Sequence, residues 1–290
     1  MFKIDNIDMA TLGMFILRGG DYDLLSFPSR KPVPTNDWFE EDGIEVDLSD
    51  VAFNEKEVAL KCYLKGISTS DFLTKLTTLK NVLTASGMRS VLIAAMNKTF
   101  SLRFKGFQDP QISGGLIKQG STSAKFTINF SMDDPLQIFS GVNLVPTGIG
   151  ETSHVKINGY DLSRFNIIVR EVYNSAFQFL IKEGLSSTNE ITSGTIVDTN
   201  FAAKLASKQI SIACSMICPS LENFYTNYNA LFNNLRLPEP LLVAFVGANA
   251  QMSCYYSRME NFVKKRPFSS GRIYVEFTLT FTTIDNGMMI

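Results

Sequence analysis

Histidine and tryptophan are almost missing from this 290-residue chain, which has one of each, His154 and Trp38, against 23 phenylalanines. A lone histidine leaves no general base with an orienting partner, so Ser-His-Asp and Cys-His arrangements have no support. Cysteine is scarce too. Cys62, Cys214, Cys218 and Cys254 are too few and too unevenly spaced for a disulfide scaffold, which predicts reduced thiols in a cytosolic protein. Cys214, Cys218 and Cys254 lack the CxxC spacing of structural zinc, so no metal and no cofactor is expected. Net charge is absent as well: 27 Lys plus Arg against 28 Asp plus Glu leaves -1, with no field to attract nucleic acid or an acidic membrane. Long apolar runs are missing. "VLIAAM" from Val91 and "LLVAFVGA" from Leu241 fall far below the ~20 residues of a bilayer span and suit buried strands. The opening "MFKIDNIDMA" has two acids and no apolar stretch, so it does not predict a secretory leader.

What the chain does have is a second beginning. "FKIDNIDMATL" (Phe2 to Leu12) is echoed by "VKINGYDLSRF" (Val155 to Phe165), and later features recur in the same order. "EVALKCYLKG" puts Val58, Leu60, Cys62 and Leu64 on one face of a strand, and "QISIACSMIC" puts Ile210, Ile212, Cys214 and Met216 on the matching face, 152 residues later. The period then lengthens to that of a helix. "STSDFLTKLTTLKNVLTASG" carries the stripe Phe72, Leu76, Leu79 and Leu83, with Ser68 or Ser70 as N-cap and Gly87 as a left-handed stop. "PSLENFYTNYNALFNNLRLP" repeats it with Phe224, Tyr228, Leu231 and Leu235 behind Ser220. Short apolar strands follow around Val91 and Val243, then "TFSLRF" and "QMSCYY". The last strands bury Phe126, Ile128 and Phe130 in one copy and Phe277, Leu279 and Phe281 in the other. The expectation is a β-rich α+β protein of two similar domains, 1-139 and 152-290, each an antiparallel sheet or sandwich with one helix, joined by a linker at 140-151.

Motifs with chemistry in them are few. "GLIKQGST" (Gly115 to Thr122) has Ser121 where a phosphate loop needs lysine. "KKR" (Lys264 to Arg266) reads as a solvated hairpin tip. Asp5, Asp8 and Asp161 sit near the repeated beginnings, where "DN" and "NG" form tight turns, so turn chemistry explains them better than acid/base work. No catalytic residue is assigned and the chain is not expected to be an enzyme. One segment stands out: Leu17 to Asp50, long, proline-containing and rich in large apolar residues, which disordered segments lack. Leu24, Leu25, Phe27, Trp38 and Phe39 on this arm are the candidate subunit interface, with a fold-back onto the same chain as the alternative.

The series "KIDNIDMATLGM", "RKPVPTNDWFEEDGIEVDLSDVAF", "EVALKCYLKG" and "KFTINFSMDDP" resembles the N-terminal domain of distal tail proteins of long-tailed phages and their prophage relatives. The resemblance covers the first half; in the second, the beginning, helix and last strand match, but "REVYNSAFQFLIKEGLSSTNEITSGTIVDTNFAAKL" replaces the arm. It implies a tail-tube-like fold and a structural role in the virion tail, in a ring that joins tube to tip. The protein would be made in the bacterial cytoplasm, with the tube and tip proteins as partners and no membrane. Family members usually carry a different, often carbohydrate-binding-like, second domain. Here the ring-type domain is repeated, so three chains would form a pseudo-six-fold ring if both copies pack alike, and six if only the first does. The alternative is a non-catalytic carbohydrate-binding or adhesion module offering Trp38, Tyr225 and Tyr228 to a sugar, although both tyrosines lie on or beside the helical stripe.

Overall fold

The computed structural model describes residues 2–114, 120–139, 145–173, 176–182, 186–188, 195–197 and 202–285. In chain order the first half forms β1 (Phe2–Ile4), β2 (Ile7–Asp8), β3 (Met14–Ile16), β4 (Thr35–Asn36), β5 (Glu45–Val46), β6 (Lys56–Gly66), α1 (Thr69–Thr84), β7 (Arg89–Ile93), β8 (Lys98–Gly114) and β9 (Thr122–Met132). The second half forms β10 (Val155–Ile157), β11 (Tyr160–Asp161), β12 (Ile167–Val172), β13 (Ser186–Thr188), β14 (Thr195–Val197), β15 (Gln209–Cys218), α2 (Leu221–Leu235), β16 (Leu241–Phe245), β17 (Ala250–Lys264) and β18 (Ile273–Thr283).

Two seven-stranded sheets result, ordered β2-β1-β7-β8-β9-β6-β3 and β11-β10-β16-β17-β18-β15-β12. Position for position these are one topology, and the pairings whose register is resolved are antiparallel. The reasons lie in local chemistry. Asp5 (φ 49) and Asn6 (φ 66) turn β1 into β2, and Asn158 (φ 50) and Gly159 (φ 79) turn β10 into β11. Two successive residues with positive φ match the twist of a two-residue hairpin, and short polar residues or glycine accept that conformation. Asp8 then accepts from the Ala10 amide at 3.0 Å, and Asp161 from the Ser163 amide at 2.8 Å, each capping a short 3-10 turn. Burial opposes ionisation of Asp161, but hydrogen bonds from Ser153 and Ser163 outweigh it and hold the carboxyl below its usual range. Asp8 and Asp161 thus serve as caps, while the Asp5 carboxylate pairs with Arg89 Nη1 at 2.6 Å and accepts from the Ser90 amide at 2.8 Å.

Alternation along β6 buries Val58, Leu60, Cys62 and Leu64, and Ile210, Ile212, Cys214 and Met216 are buried in β15. Ser68 caps α1 by accepting from the Asp71 amide at 3.2 Å, Ser220 caps α2 from Asn223 at 3.1 Å, and Gly87 has φ 85. Phe72, Leu79 and Leu83 turn inward from α1, as do Phe224, Tyr228, Leu231 and Leu235 from α2. Truncating any of these buried leucines to alanine costs about 2–5 kcal/mol by the usual rule for cores. Strand β8 changes partner along its length: Arg89 to Ile93 pair with its first residues, and β9 takes over from Arg103 onward. The second register shift falls between Gln108 and Gln111, where Asp109 has φ 53 and Pro110 cannot donate to the ladder. Asn261, 152 residues later in β17, has φ 54, and Asn97 and Asn249 form a further left-handed pair at φ 48 and 47.

The chain divides into two compact units, and neither is a continuous stretch. Unit 1 is Met1–Pro28, Phe53–Ser140 and Phe262–Ile273; unit 2 is Ser29–Ala52, Gly141–Asn261 and Tyr274–Ile290. One break between the units falls at Ser140/Gly141, and each unit also takes a segment from the opposite half. The expected linker is fixed to unit 2 from Val145 onward. Thr147 donates its amide to Asn227 Oδ1 at 2.8 Å and accepts from Asn227 Nδ2 at 2.9 Å, which places a buried asparagine on α2.

Both units share a buried lysine. Lys56 Nζ donates to the carbonyls of Leu24 (3.1 Å) and Ser26 (2.6 Å), while Lys208 Nζ, 152 residues later, donates to those of Ala176 (2.8 Å) and Gln178 (2.6 Å). Each pins the segment that follows its sheet's edge strand, β3 or β12, onto the start of the neighbouring strand, β6 or β15. Loss of solvation pushes Lys56 down to about 7 from 10.5, with Asp23 opposing, and lowers Lys208 as well. Between pH 7 and 10.5 the unfolded chain therefore holds a proton that the folded chain has released, and stability rises with pH. The rise attributable to Lys56 is up to about 1.4 kcal/mol per pH unit. Lys56→Met removes it, so the stability of the native protein minus that of the variant, from urea titrations, should climb with pH across this window; a flat difference would show that Lys56 stays charged when folded.

Candidate functional site

The arm Leu17 to Asp50 parts company at Pro28. Leu24, Leu25 and Phe27 are 0–3% exposed inside unit 1, where Phe27 meets Phe139 edge-on at 5.5 Å. From Ser29 the arm belongs to unit 2. The Arg30 amide donates to Ser257 O at 2.8 Å, and its guanidinium lies 5.8 Å above the Tyr255 ring, with burial lowering its pKa. Gly43 N donates to Leu205 O (2.8 Å), Ile44 N to Ile284 O (2.8 Å), and the Leu205 amide to Asp42 Oδ1 (2.7 Å). Lys182 Nζ pairs with Asp37 at 2.5 Å and donates to Trp38 O at 2.7 Å. The five candidate interface residues therefore do not form one patch. Trp38 is 52% exposed with its indole N–H on Glu45 Oε2 at 3.2 Å, and Phe39 is half-buried, so these two retain surface to offer a neighbour.

The unit 1 segment Phe262–Ile273 corrects the reading of "KKR" as a solvated tip. Lys264 Nζ forms an ion pair with Asp21, both side chains 12% exposed, and lies 5.7 Å from the Tyr22 ring and 5.2 Å from that of Phe268. Tyr22 Oη donates to Lys264 O at 2.9 Å. Lys265 and Arg266 remain exposed. The partner of Lys264 lies 243 residues away, so no local pattern reveals it.

The two units differ beside their helices. In unit 1 an apolar cleft of about 360 Å³ opens between α1 and β8, lined by Leu76, Leu79, Lys80, Leu83, Phe104 and Phe107. In unit 2 Tyr228, Phe232 and Tyr256 stand where unit 1 has Leu76, Lys80 and Phe104: Phe232 meets Tyr256 edge-on at 6.5 Å, and Tyr228 Oη contacts Met259 Sδ at 3.5 Å. Burial drives the Tyr228 and Tyr225 phenols upward, and Tyr228 is 1% exposed, so it offers no stacking platform. Residues 115–119 of "GLIKQGST" and residues 174–175, 183–185, 189–194 and 198–201 of the second-half replacement of the arm lie outside the described residues.

Polar chemistry is dispersed. No group of three or more metal-ligating side chains occurs among the described residues, where no helix is long and apolar enough to cross a membrane either. All four cysteines are free and buried, and burial raises each thiol, Cys214 to about 12 and Cys218 to about 11. What the molecule presents instead is a set of exposed apolar side chains on strand ends and turns, including Ile112, Tyr173, Phe177 and Val246.

No model of a protein family and no curated protein matches the sequence. Among solved structures the chain is similar to the Dit protein of phage SPP1, described as a paradigm of the hub adsorption apparatus in phages that infect Gram-positive bacteria. Identity is 11% and the TM-score 0.35, over 97% of this chain and 98% of that one. A likeness so loose does not establish a shared fold.

Two outcomes follow from this geometry. Gly43 has φ 74, and a β-carbon there would lie 2.0 Å from Ile284 O, so Gly43→Val should detach the arm. Cleavage after Glu40 or Glu41 by a glutamyl endopeptidase should then accelerate several-fold over the native chain; unchanged cleavage would mean that the arm is held elsewhere. Lys80→Phe should fill the unit 1 cleft as Phe232 fills its counterpart, raising stability by about 1 kcal/mol in denaturant titration.

Proposed function

We propose that this chain is a non-enzymatic structural component of a phage or prophage tail, a ring-forming distal tail or baseplate hub protein between tube and tip. One observation carries the reading: both halves build the same seven-stranded order with left-handed residues at the same spacing, Asn97 with Asn249 and Asp109 with Asn261. A doubled ring-type domain explains why both copies keep one packing plan. The residues that resemble distal tail proteins run through the first copy, from Lys3 to Pro135. Its partners are further copies of itself and the neighbouring tube and tip proteins. Three chains then present the six domains that a six-fold tube requires.

The test is decoration of tails. Gold-labelled antibody against the chain should mark one end of purified tails, at the junction with the tip, in particles from a host that carries this reading frame. Label along the whole shaft, or on no particle at all, would overturn the reading.

A further inference from the structure

One face of the unit 1 sheet carries charge that no described residue neutralises. On β6 the side chains of Lys61, Tyr63 and Lys65 point away from the core that Leu60, Cys62 and Leu64 fill. Across the ladder Tyr63 stands opposite Lys125 of β9 on one side and Phe15 of β3 on the other. The Phe15 and Tyr63 rings meet at 5.0 Å, and Phe15 is 52% exposed. Three exposed lysines thus surround one aromatic pair, and none of them makes an ion pair or a side-chain hydrogen bond with a described residue. Like charges at neighbouring positions of a sheet repel.

In unit 2 the same positions are settled internally. Ala213 and Ser215 stand where unit 1 has Lys61 and Tyr63, and both are buried. Glu276 stands where unit 1 has Lys125, and Arg170 pairs with it at 2.5 Å. The unpaired lysines are therefore no demand of the common strand plan. Their complement is on the arm. Its unit 2 segment, Ser29–Ala52, holds seven acids against Arg30 and Lys31, in a chain whose overall charge is -1. In the loop between β4 and β5, Trp38 is 52% exposed and its indole is oriented by Glu45. Glu40 and Glu41 are exposed beside it, with no ion pair or side-chain hydrogen bond to a described residue. One unit thus offers aromatic rings among unpaired lysines, and the other an aromatic ring beside unpaired carboxylates.

We propose that the 38–42 loop of one copy of this chain docks on the Phe15 and Tyr63 face of another, with Trp38 on the two rings and Glu40 and Glu41 on Lys61, Lys65 and Lys125. The occupant is a second copy because the two surfaces match in charge and both stay exposed and unpaired within one chain. Large aromatic side chains are the usual anchors of such interfaces. Donor and acceptor surfaces differ, so the contact is head-to-tail, and such contacts close into rings or run on as filaments. Opposite charges steer the encounter, which makes association sensitive to salt. The docking rests on the tail reading above only for its assembled setting; the interface follows from the paired surfaces.

Carbodiimide coupling tests it, because it joins a carboxylate to an amine only where the two touch. Isotope-labelled and unlabelled protein, mixed at high concentration, should yield peptides that link Glu40 or Glu41 of one isotope to Lys61, Lys65 or Lys125 of the other. The yield should fall several-fold in ~1 M sodium chloride, where the Debye length is about 3 Å. Charge reversal gives an independent reading. Lys61→Glu with Lys125→Glu reverses the face, and Glu40→Lys with Glu41→Lys reverses the arm. Each variant alone should lose self-association in sedimentation while keeping the native thermal midpoint, and a mixture of the two should regain it, since opposite charges then meet again. Links within one chain only, in concentrated solution and in host cells alike, would overturn the proposal. So would either variant associating as strongly as the native chain, or a mixture associating no better than its parts. Links between chains through other carboxylates alone would overturn the arm as the occupant. Tails decorated at the tip without these links would overturn the docking and leave the tail role standing. The links on a protein that never labels tails would do the reverse.

Discussion

Everything in this molecule depends on a reciprocal loan of chain. Unit 1 is closed by Phe262–Ile273 from the second half, and unit 2 by Ser29–Ala52 from the first. Each unit's surface therefore includes residues that its own half of the sequence cannot supply. The ion pair between Asp21 and Lys264 is the plainest case, with both side chains largely removed from solvent by a partner more than two hundred residues away. Removing either partner would leave an uncompensated charge in a nearly dry site, which costs far more than the loss of an exposed pair.

Much of the fold could be read from the sequence because its signals are local. The faces of β6 and β15, the serine caps of both helices, Gly87 and the turns at Asp5 and Asn158 each follow from the chemistry of a few adjacent residues. What escaped has its cause elsewhere in the chain. Lys56 begins β6 and Lys208 immediately precedes β15, positions where lysine ordinarily sits in water, and only the carbonyls of remote segments make their burial tolerable. Asn227, on the outer side of the α2 stripe, is buried because Thr147 lies across it. The arm was visible as an unusual segment, but its division at Pro28, with Leu24, Leu25 and Phe27 in one unit and Trp38 and Phe39 in the other, was not. The hairpin end was read as a solvated tip and its packing into unit 1 was missed, although Asp109 and Asn261 stand at the same spacing as the other repeated features.

The two halves also show how one plan is adjusted by side-chain volume. Replacing the positions of Leu76, Lys80 and Phe104 by Tyr228, Phe232 and Tyr256 closes the cleft beside the helix, with no change in strand order. Cores accept such changes when the space is filled well, so the backbone plan persists while surfaces diverge. That freedom lets one hairpin carry a lysine for an internal ion pair and the other an isoleucine on an open face.

The loan of Phe262–Ile273 also sets an order of events at the ribosome. Domains commonly fold as they emerge, N-terminal first, at about 5–20 residues per second. Here the first unit must wait for residue 273 of 290 before its last piece arrives. A chain stalled or cut short in its final strands leaves both units unfinished, and quality control meets a product that cannot pass as a smaller native protein.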